Sequence, residues 1–301
     1  TVNPVNDAPI LSFVEDLIFE EDGTGSVILL ASDIDSSDLL YSVSGGSSIQ
    51  ASITDNVVVF TPSPDYNGSE EFMAAVTDGE YSVSQSFTVT VNPVNDAPVI
   101  ASIADQSIDE DQSLSLDLSA SDVDGDILTF SASSDNGDVV VDGSSLTVTP
   151  GQDFNGSILV DVSVTDGSET DSTSFTLTVN PVNDAPVLGA LSDGTTDEDV
   201  DFTLTLTGSD VDGDDLTYFA QVDGNGSASV DGTTLTVSPA ADYNGDIEVT
   251  ITVSDGQSND VASFTLTVNP VNDAPVIASI ADQAIDEDQS LSLDLSASDV
   301  D

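Results

Sequence analysis

The chain has 301 residues and a formal net charge of −57, and it contains no Lys, Arg, His or Cys. Without a basic side chain it has nothing to neutralise phosphate, which argues against nucleic acid and anionic membrane surfaces as partners. Without cysteine no disulfide can hold its domains together, so metal cations are the partners that its charge favours.

The phrase Asn-Pro-Val-Asn-Asp-Ala-Pro occurs four times, starting at Asn3, Asn92, Asn180 and Asn269. Copies 88 or 89 residues apart indicate a tandem array of one small domain, and a unit of this length can bury a modest core. We therefore divide the chain into repeat 1 (residues 1–94), repeat 2 (95–182), repeat 3 (183–271) and an N-terminal fragment of repeat 4 (272–301). Because the chain starts and stops inside a repeat, we expect it to be an internal piece of a longer protein.

Within each repeat, apolar and polar residues alternate, as at Leu114, Leu116 and Leu118. Alternation interrupted by clusters of Gly, Asn, Asp and Pro predicts half-buried strands joined by turns. About seven short strands and no helical period predict a two-sheet antiparallel sandwich. In repeat 2 we expect strands near residues 99–103, 107–108, 113–119, 127–132, 138–141, 145–149, 157–165 and 172–180.

The connector between repeats 2 and 3 follows the last predicted strand directly, with no Gly/Ser-rich tether. Residues 181–186 contain two prolines, which makes a stiff and extended connection. We therefore expect the domains to stack end to end. No stretch of the sequence is long and apolar enough to predict a membrane-spanning helix.

Four acidic motifs recur once in each repeat: an early acidic triplet, an Asp-x-Asp loop, an Asp-aromatic-Asn-Gly stretch, and an Asp-Gly pair ending a strand. The repeated phrase adds an Asn-Asp pair. In repeat 2 these motifs are Asp109-Glu110-Asp111, Asp122-x-Asp124, Asp153-Phe154-Asn155-Gly156, Asp166-Gly167 and Asn95-Asp96. Asp171 lies outside every motif, and we expect it to be a solvated charge.

These motifs supply the oxygen ligands that Ca²⁺ takes in proteins, and they lack the soft or imidazole ligands that favour zinc or copper. Taken singly, each motif also fits a purely structural role: an Asp-Gly pair is commonly a turn, and the aromatic residue of the third motif can fill a core. Their joint recurrence favours cation binding, because carboxylates fixed close together repel one another unless a cation lies between them.

In combination the motifs resemble cadherin repeats, most closely the bacterial cadherin-like tandem repeats (tandem-95 type) of large secreted surface adhesins. Asn95-Asp96-Ala97-Pro98 resembles the linker after the last strand of a cadherin repeat, and Asp122-Val-Asp124-Gly resembles its Asp-x-Asp loop. Glu110 resembles the early glutamate. The resemblance covers the whole chain and implies Greek-key, cadherin/Ig-like β-sandwiches with Ca²⁺ between neighbouring repeats.

Carried over residue by residue, the resemblance assigns ligands to each junction. Between repeats 1 and 2 these are Glu21, Asp65, Asn95, Asp96, Asp122, Asp124 and Asp166. Between repeats 2 and 3 they are Glu110, Asp153, Asn183, Asp184, Asp210, Asp212 and Asp255. The junction with the fragment has Glu198, Asp242, Asn272, Asp273, Asp299 and Asp301, and the N-terminal side of repeat 1 has Asp7, Asp33, Asp35 and Asp78.

The sequence also departs from the cadherin pattern. Pro93 stands where the cadherin linker has its first Asp, and Asp153-x-Asn155 replaces the usual Asp-x-Glu. The number of ions at a junction therefore stays open between one, two and three. As an alternative, Asp126 and Asp214 close a local Asp-x-Asp-Gly-Asp site within one loop, which repeat 1 lacks because Ser36 and Ser37 follow its second Asp.

The leading functional interpretation is a Ca²⁺-stiffened extender or stalk of a bacterial cell-surface or secreted adhesin, acting outside the cell in adhesion or biofilm formation. The alternatives are a module that binds glycans or another copy of the adhesin, and a non-catalytic appendage of an extracellular enzyme. Catalysis by the chain itself is not expected, because every acid pair recurs in each repeat and His, Cys and Lys are absent.

Overall fold

The computed structural model describes residue 3 and residues 5–300, and all regular secondary structure in this part of the chain is β-strand. Repeat 1 contains β1 (Ile10–Leu11), β2 (Leu17–Glu20), β3 (Gly25–Ile28), β4 (Ala31–Ser32), β5 (Leu40–Gly45), β6 (Ile49–Thr54), β7 (Val57–Pro62), β8 (Gly68–Thr77) and β9 (Ser82–Asn92). Repeat 2 contains β10 (Val99–Ile100), β11 (Gln106–Asp109), β12 (Leu114–Asp117), β13 (Ala120–Ser121), β14 (Thr129–Ser134), β15 (Asp138–Asp142), β16 (Ser145–Thr149), β17 (Gly156–Thr165) and β18 (Thr170–Asn180).

Repeat 3 has the same strand order, and the fragment contributes two short strands. Repeat 3 contains β19 (Val187–Leu188), β20 (Gly194–Asp197), β21 (Phe202–Thr205), β22 (Gly208–Ser209), β23 (Thr217–Val222), β24 (Gly226–Asp231), β25 (Thr234–Pro239), β26 (Gly245–Ser254) and β27 (Asn259–Asn269). The fragment contains β28 (Val276–Ile277) and β29 (Ala297–Ser298).

Each of the three repeats is a sandwich of a four-stranded and a three-stranded sheet. In repeat 1 the sheet orders are β2-β9-β8-β5 and β3-β7-β6, and β1 pairs with β4 in a short two-stranded sheet. The predicted all-β sandwich array is confirmed. Two details differ from the prediction. Each repeat has nine strands instead of about seven. In the four-stranded sheet of repeat 1, β2 lies beside β9, the last strand of the repeat, and runs parallel to it.

The core of each sandwich lies between its two sheets and follows the predicted alternation. In β8, Phe72, Ala74 and Val76 are buried while Glu71 and Met73 point outward. In the same way, β17 buries Ile158, Val160, Val162 and Val164. Burial of this apolar area stabilises the fold at about 25 cal/mol per Å².

The chain divides into two compact units. The first holds repeat 1 and nearly all of repeat 2, and the second holds Asp153–Asn155 of repeat 2 together with the chain from Asn180 onward, which is repeat 3 and the fragment. No described segment forms a helix of the length and apolarity needed to cross a membrane.

Candidate cation site

The early acidic triplet places one glutamate of each repeat inside the protein. Glu21, Glu110 and Glu198 are only 3%, 3% and 4% exposed, and among the described residues they are the only charged side chains that are buried. Burying an ionised carboxylate is costly unless it is paired or hydrogen-bonded. The buried glutamate therefore distinguishes the acidic triplet from an ordinary solvent-exposed turn.

Glu21 is held where β2 ends beside β9. Its backbone N–H donates to the carbonyl of Asn92 (3.0 Å), and its Oε1 accepts a hydrogen bond from Val94 N–H at 2.7 Å. The repeated phrase therefore begins against the glutamate of the preceding domain. In the second compact unit, Glu198 Oε1 accepts from Val271 N–H at 2.6 Å in the same way.

Two neighbouring aspartates owe their positions to the backbone. Asp22 and Asp65 have φ angles of 64° and 57°, in the left-handed region. Aspartate visits this region more readily than most residues because its side chain can hydrogen-bond locally. The recurrence of these two acids therefore has a structural reason alongside any role in binding ions.

Hydrogen bonds from the linker between repeats 1 and 2 hold two acids of repeat 2, Asp124 and Asp166. Asp96 N–H donates to Asp124 Oδ2 at 2.8 Å, which ties the linker to the Asp-x-Asp loop of repeat 2. Asn95 Nδ2 donates to Asp166 Oδ2 at 2.9 Å. The linker is thus attached to its own domain by two side chains of the recurring motifs.

Three predicted ligands come together at this junction. Carboxylate oxygens of Glu21, Asp96 and Asp124 all lie within 4.8 Å of one another. Glu21 Oε2 is shielded from solvent and has no hydrogen-bond partner. Oxygens that share one Ca²⁺ at 2.3–2.6 Å lie at most roughly 5 Å apart, so the spacing, the oxygen donors and the orphaned buried atom all fit this cation.

The electrostatics of the cluster are unfavourable without a cation. Partial burial, followed by repulsion from Asp22, Asp65, Asp124 and Glu21, raises the pKa of Asp96. No basic side chain exists to offset this repulsion. Asp22 is therefore near enough to Asp96 to repel its carboxylate, although the resemblance to cadherin repeats predicted only Glu21 from this triplet. The signal that could have found Asp22 is that all three positions of the triplet are acidic in every complete repeat.

The Asp-x-Asp loop is organised by its first aspartate. Asp122 Oδ1 accepts hydrogen bonds from the N–H groups of Gly125 (3.0 Å) and Asp126 (3.2 Å), whereas its Oδ2 is buried without a hydrogen-bond partner. Oxygens of Asp122, Asp124 and Asp126 also lie within 4.8 Å of one another. The alternative site within the Asp-x-Asp loop is therefore also geometrically possible. Asp124 belongs both to this cluster and to the cluster with Glu21 and Asp96.

The aspartate that ends the long strand β17 has a different environment. Asp166 Oδ1 accepts from Ser168 and Glu169 N–H groups (2.6 and 2.7 Å), and its Oδ2 accepts from Asn95. These bonds, with the Glu169 backbone bond the strongest, lower the pKa of Asp166. Hydrogen bonds from the side chains of Asn6 and Asn183, followed by backbone N–H bonds, likewise lower the pKa of Asp78 and Asp255. These aspartates hold the linker in place, and their service as cation ligands remains a prediction.

The second compact unit repeats this arrangement within itself. Asp184 N–H donates to Asp212 Oδ2 at 2.8 Å, and Asn183 Nδ2 donates to Asp255 Oδ2 at 2.9 Å. Asp210 Oδ1 accepts three backbone N–H groups of its loop, while its Oδ2 is buried without a hydrogen-bond partner. The loop and linker geometry is therefore a property of the repeat.

The remaining predicted ligands lie at the two ends of the described chain. In repeat 1, Asp7 N–H donates to Asp35 Oδ2 (2.9 Å). Like Asp122, Asp33 accepts hydrogen bonds from backbone N–H groups of its own loop, those of Asp35 and Ser36. Near the other end, Asp242 N–H donates to Asp199 Oδ1 (3.3 Å) and Asp299 is exposed. Asp301 lies outside the described residues.

One expectation from the sequence is wrong. Asp171 is not a free surface charge: its Oδ2 accepts a hydrogen bond from Ile100 N–H at 2.9 Å, and it is half-buried. Asp260 does the same for Leu188 N–H in repeat 3. Nothing in the local sequence indicated this bond, because it joins residues 71 positions apart.

Comparison with known proteins identifies the family. The family model described as "Bacterial Ig domain" matches residues 6–92, 95–180 and 183–269. These three matches cover most of the chain, and the chain therefore belongs to the bacterial Ig domain family, as three tandem copies. A curated relative, Chitinase A of Pseudoalteromonas piscicida, is 35% identical over 105 residues, which is 34% of this chain but only 13% of that protein.

Two solved structures are similar to this chain. The structure of PcdhgB3 EC1-4 matches with a TM-score of 0.51 and 16% identity, over 88% of this chain and 76% of that chain. Mouse Protocadherin-24 EC1-3 matches with a TM-score of 0.45 and 14% identity, over 86% of this chain and 98% of that chain. At such low identity the likeness to PcdhgB3 concerns the fold alone, and it agrees with the predicted resemblance to cadherin-like tandem repeats.

Proposed function

We propose that this array is a Ca²⁺-stiffened extender of a large bacterial surface or secreted adhesin, acting outside the cell. The observation that carries the proposal is the buried Glu21 carboxylate, which faces Asp96 and Asp124 with its Oε2 atom unpartnered. Glu21 belongs to repeat 1, whereas Asp96, in the linker at the start of repeat 2, and Asp124 belong to repeat 2. A cation held by all three would fix the two domains relative to each other.

The proposed ligand set at this junction is Glu21, Asp96 and Asp124, with Asp22, Asp65 and Asp122 as further oxygen donors nearby. Ca²⁺ is the cation of choice because its shell accepts many carboxylate oxygens in flexible geometry. Extracellular Ca²⁺ modules bind at roughly 10⁻⁴–10⁻³ M. The linkers would thus be rigid where Ca²⁺ is millimolar and would hinge where it is removed.

Small-angle X-ray scattering of the full chain, with about 2 mM Ca²⁺ or with chelator, tests the proposal. We expect the maximum dimension to be long and sharply defined with Ca²⁺, and the distance distribution to broaden on chelation. Identical profiles under both conditions would show that the cation does not stiffen the array.

Calorimetric Ca²⁺ titration tests the ligand set. Asp96→Asn removes one charge from the cluster, whereas Asp117→Asn, on the exposed face of β12, removes one charge elsewhere. We expect Asp96→Asn to weaken binding at one site by at least about tenfold and Asp117→Asn to leave it unchanged. Equal titrations for both variants would move the site away from the junction.

A second candidate function has one specific observation in its favour. The 105-residue match to a chitinase suggests an extracellular enzyme that carries such domains as an appendage. The array would then be a non-catalytic appendage that holds the enzyme on its substrate, and the Ca²⁺ experiments would give the same result. A pull-down of the purified chain on chitin separates the two functions, because retention on chitin is expected only if the appendage directs an enzyme to that substrate.

A further inference from the structure

The outer face of the three-stranded sheet in repeat 1 differs in chemistry from the same face in repeats 2 and 3. In repeat 1, Ile28 is 60% exposed and lies opposite Val57 in the strand register. At this register position repeat 2 pairs Asp117 with Ser145, and repeat 3 pairs Thr205 with Thr234. An apolar pair therefore replaces a polar one at a position where the fold does not require it.

The neighbouring positions extend the difference. Leu30 is 59% exposed, and its carbonyl accepts a hydrogen bond from Ser12 N–H. Ser119 of repeat 2 and Thr207 of repeat 3 accept the equivalent bond. Val59, opposite Ser26, likewise corresponds to Thr147 and Thr236 at this position of the other repeats. We name Ile28, Leu30, Val57 and Val59 the apolar face of repeat 1.

The strand that carries this face is also an edge. Within the part of the chain that the structure describes, β3 is the terminal strand of its sheet and has only β7 as a strand partner there. A free edge presents backbone N–H and C=O groups to any extended segment that approaches it. Main-chain bonds along an edge, with alternate side chains on an adjoining face, are a recurring mode of peptide recognition.

Charge decides what kind of segment fits. Every ionisable side chain that is charged at neutral pH is an acid, with a net charge of −57, and the exposed Asp55 lies in the turn beside Val57. Another copy of this chain would bring an equally negative surface, which is repelled at short range. A partner with basic residues is attracted instead.

We propose that the edge of β3 and the apolar face of repeat 1 form a docking site for an extended segment of another protein in which apolar and basic residues alternate. The apolar side chains of the segment would lie beside Ile28 and Leu30, on the face that Val57 and Val59 continue across β7. Its basic side chains would point to the opposite side of the strand edge, and the net negative charge of the chain would attract them. Repeats 2 and 3 would bind it more weakly, because the four corresponding positions are polar in both, and repeat 2 offers only the exposed Val140 of β15 nearby.

The test uses the full chain and a short labelled peptide in which Val and Lys alternate, at about 0.15 M salt to limit long-range attraction. A peptide of the same composition, with its Val and Lys residues in two separate blocks, controls for charge alone. The variant Ile28→Asp/Leu30→Ser/Val57→Ser/Val59→Thr introduces the residues of repeat 2, which the same fold already carries. Circular dichroism checks that the variant is folded.

Fluorescence anisotropy should show the alternating peptide binding the wild-type chain at least about tenfold more tightly than the variant, and more tightly than the block peptide binds either. Transfer of the four apolar residues to positions 117, 119, 145 and 147 should create a second site. Equal binding of both peptides, or equal binding to wild type and variant, would overturn the proposal. Self-association of the wild type that the variant lacks would also overturn it, because the occupant would then be a second copy.

Discussion

Repeats 1 and 2 share their junction chemistry and differ in how they fill their interiors. Both bury one glutamate after the second strand, and both use the first aspartate of the Asp-x-Asp loop to cap that loop. Their cores differ, since the aromatic cluster of Phe60, Phe72 and Phe87 in repeat 1 corresponds in part to valines in repeat 2. What recurs unchanged is the acidic geometry at the domain ends, whereas the sandwich between those ends accepts several packing solutions.

The largest expected effect concerns the aromatic core of repeat 1. Phe60 and Phe72 meet edge to face with ring centroids 4.9 Å apart, and both are essentially buried. Phe72→Ala should lower the free energy of unfolding by about 3–5 kcal/mol. Val160→Ala in repeat 2 removes fewer atoms from a buried site and should cost less. Urea unfolding of both variants checks this difference, and equal losses would mean that the aromatic cluster adds nothing beyond valine packing.

The second prediction concerns an acid that only repeat 1 uses. Glu70 accepts hydrogen bonds from Ser47 Oγ and from the N–H groups of Ser47, Ser48 and Ile49 at 2.6–3.0 Å. Although burial opposes ionisation, these bonds lower the pKa of Glu70 to about 2. Hydrogen bonds to a charged group contribute about 1.5–3 kcal/mol. Because solvent screens a partly exposed side chain, Glu70→Ala should cost about 1.5 kcal/mol, at the low end of that range.

The pH dependence of Glu70 has a defined sign. A carboxylate whose folded pKa is depressed stabilises the protein fully above its unfolded pKa and loses that contribution as it is protonated. The stability of repeat 1 should therefore fall between about pH 4.5 and pH 2, and less steeply in Glu70→Ala. Parallel acid unfolding curves for the wild type and the variant would contradict the assignment.

The third prediction concerns the chemistry that the repeats share. Glu21→Gln keeps the side-chain shape and an oxygen for Val94 N–H but removes the buried charge. We expect at least tenfold weaker Ca²⁺ binding at the first junction, a loss of about 1.4 kcal/mol, and a smaller rise in melting temperature on adding Ca²⁺. Glu20→Gln is the matched control, since Glu20 is exposed and directly precedes Glu21. A similar weakening in both variants would indicate a general charge effect.

The smallest predicted effect concerns the bond between Asp171 and Ile100. Asp171→Ala removes this half-buried acceptor and should cost about 1 kcal/mol. Asp117→Ala, on an exposed strand face, should stay within about 0.5 kcal/mol. Thermal unfolding of the two variants measures the difference. Equal melting temperatures would show that the bond to Ile100 adds nothing to the stability of repeat 2.

The sequence by itself determined the repeat length and the all-β class, and it showed which acidic motifs recur in each repeat. Successive residues of a strand point to opposite faces, so strands are visible in the sequence as alternating apolar and polar residues. A 301-residue chain without a basic side chain leaves its carboxylates few possible partners, which favoured cations. The strand positions in repeat 2 were predicted within a few residues for all strands except the two-residue β13, which is too short to show an alternation.

Only the tertiary structure decided which acids face each other. It joined Glu21 to Asp96 and Asp124 and placed Asp22 near them. It also showed that Asp166 accepts a hydrogen bond from Asn95 of the linker, and that Asp171 accepts one from the backbone N–H of Ile100. It also showed that β2 pairs in parallel with β9. The strand register showed which residues of the apolar face of repeat 1 lie opposite which neighbours. These outcomes depend on contacts between residues far apart in the chain, and local periodicity carries no information about such contacts.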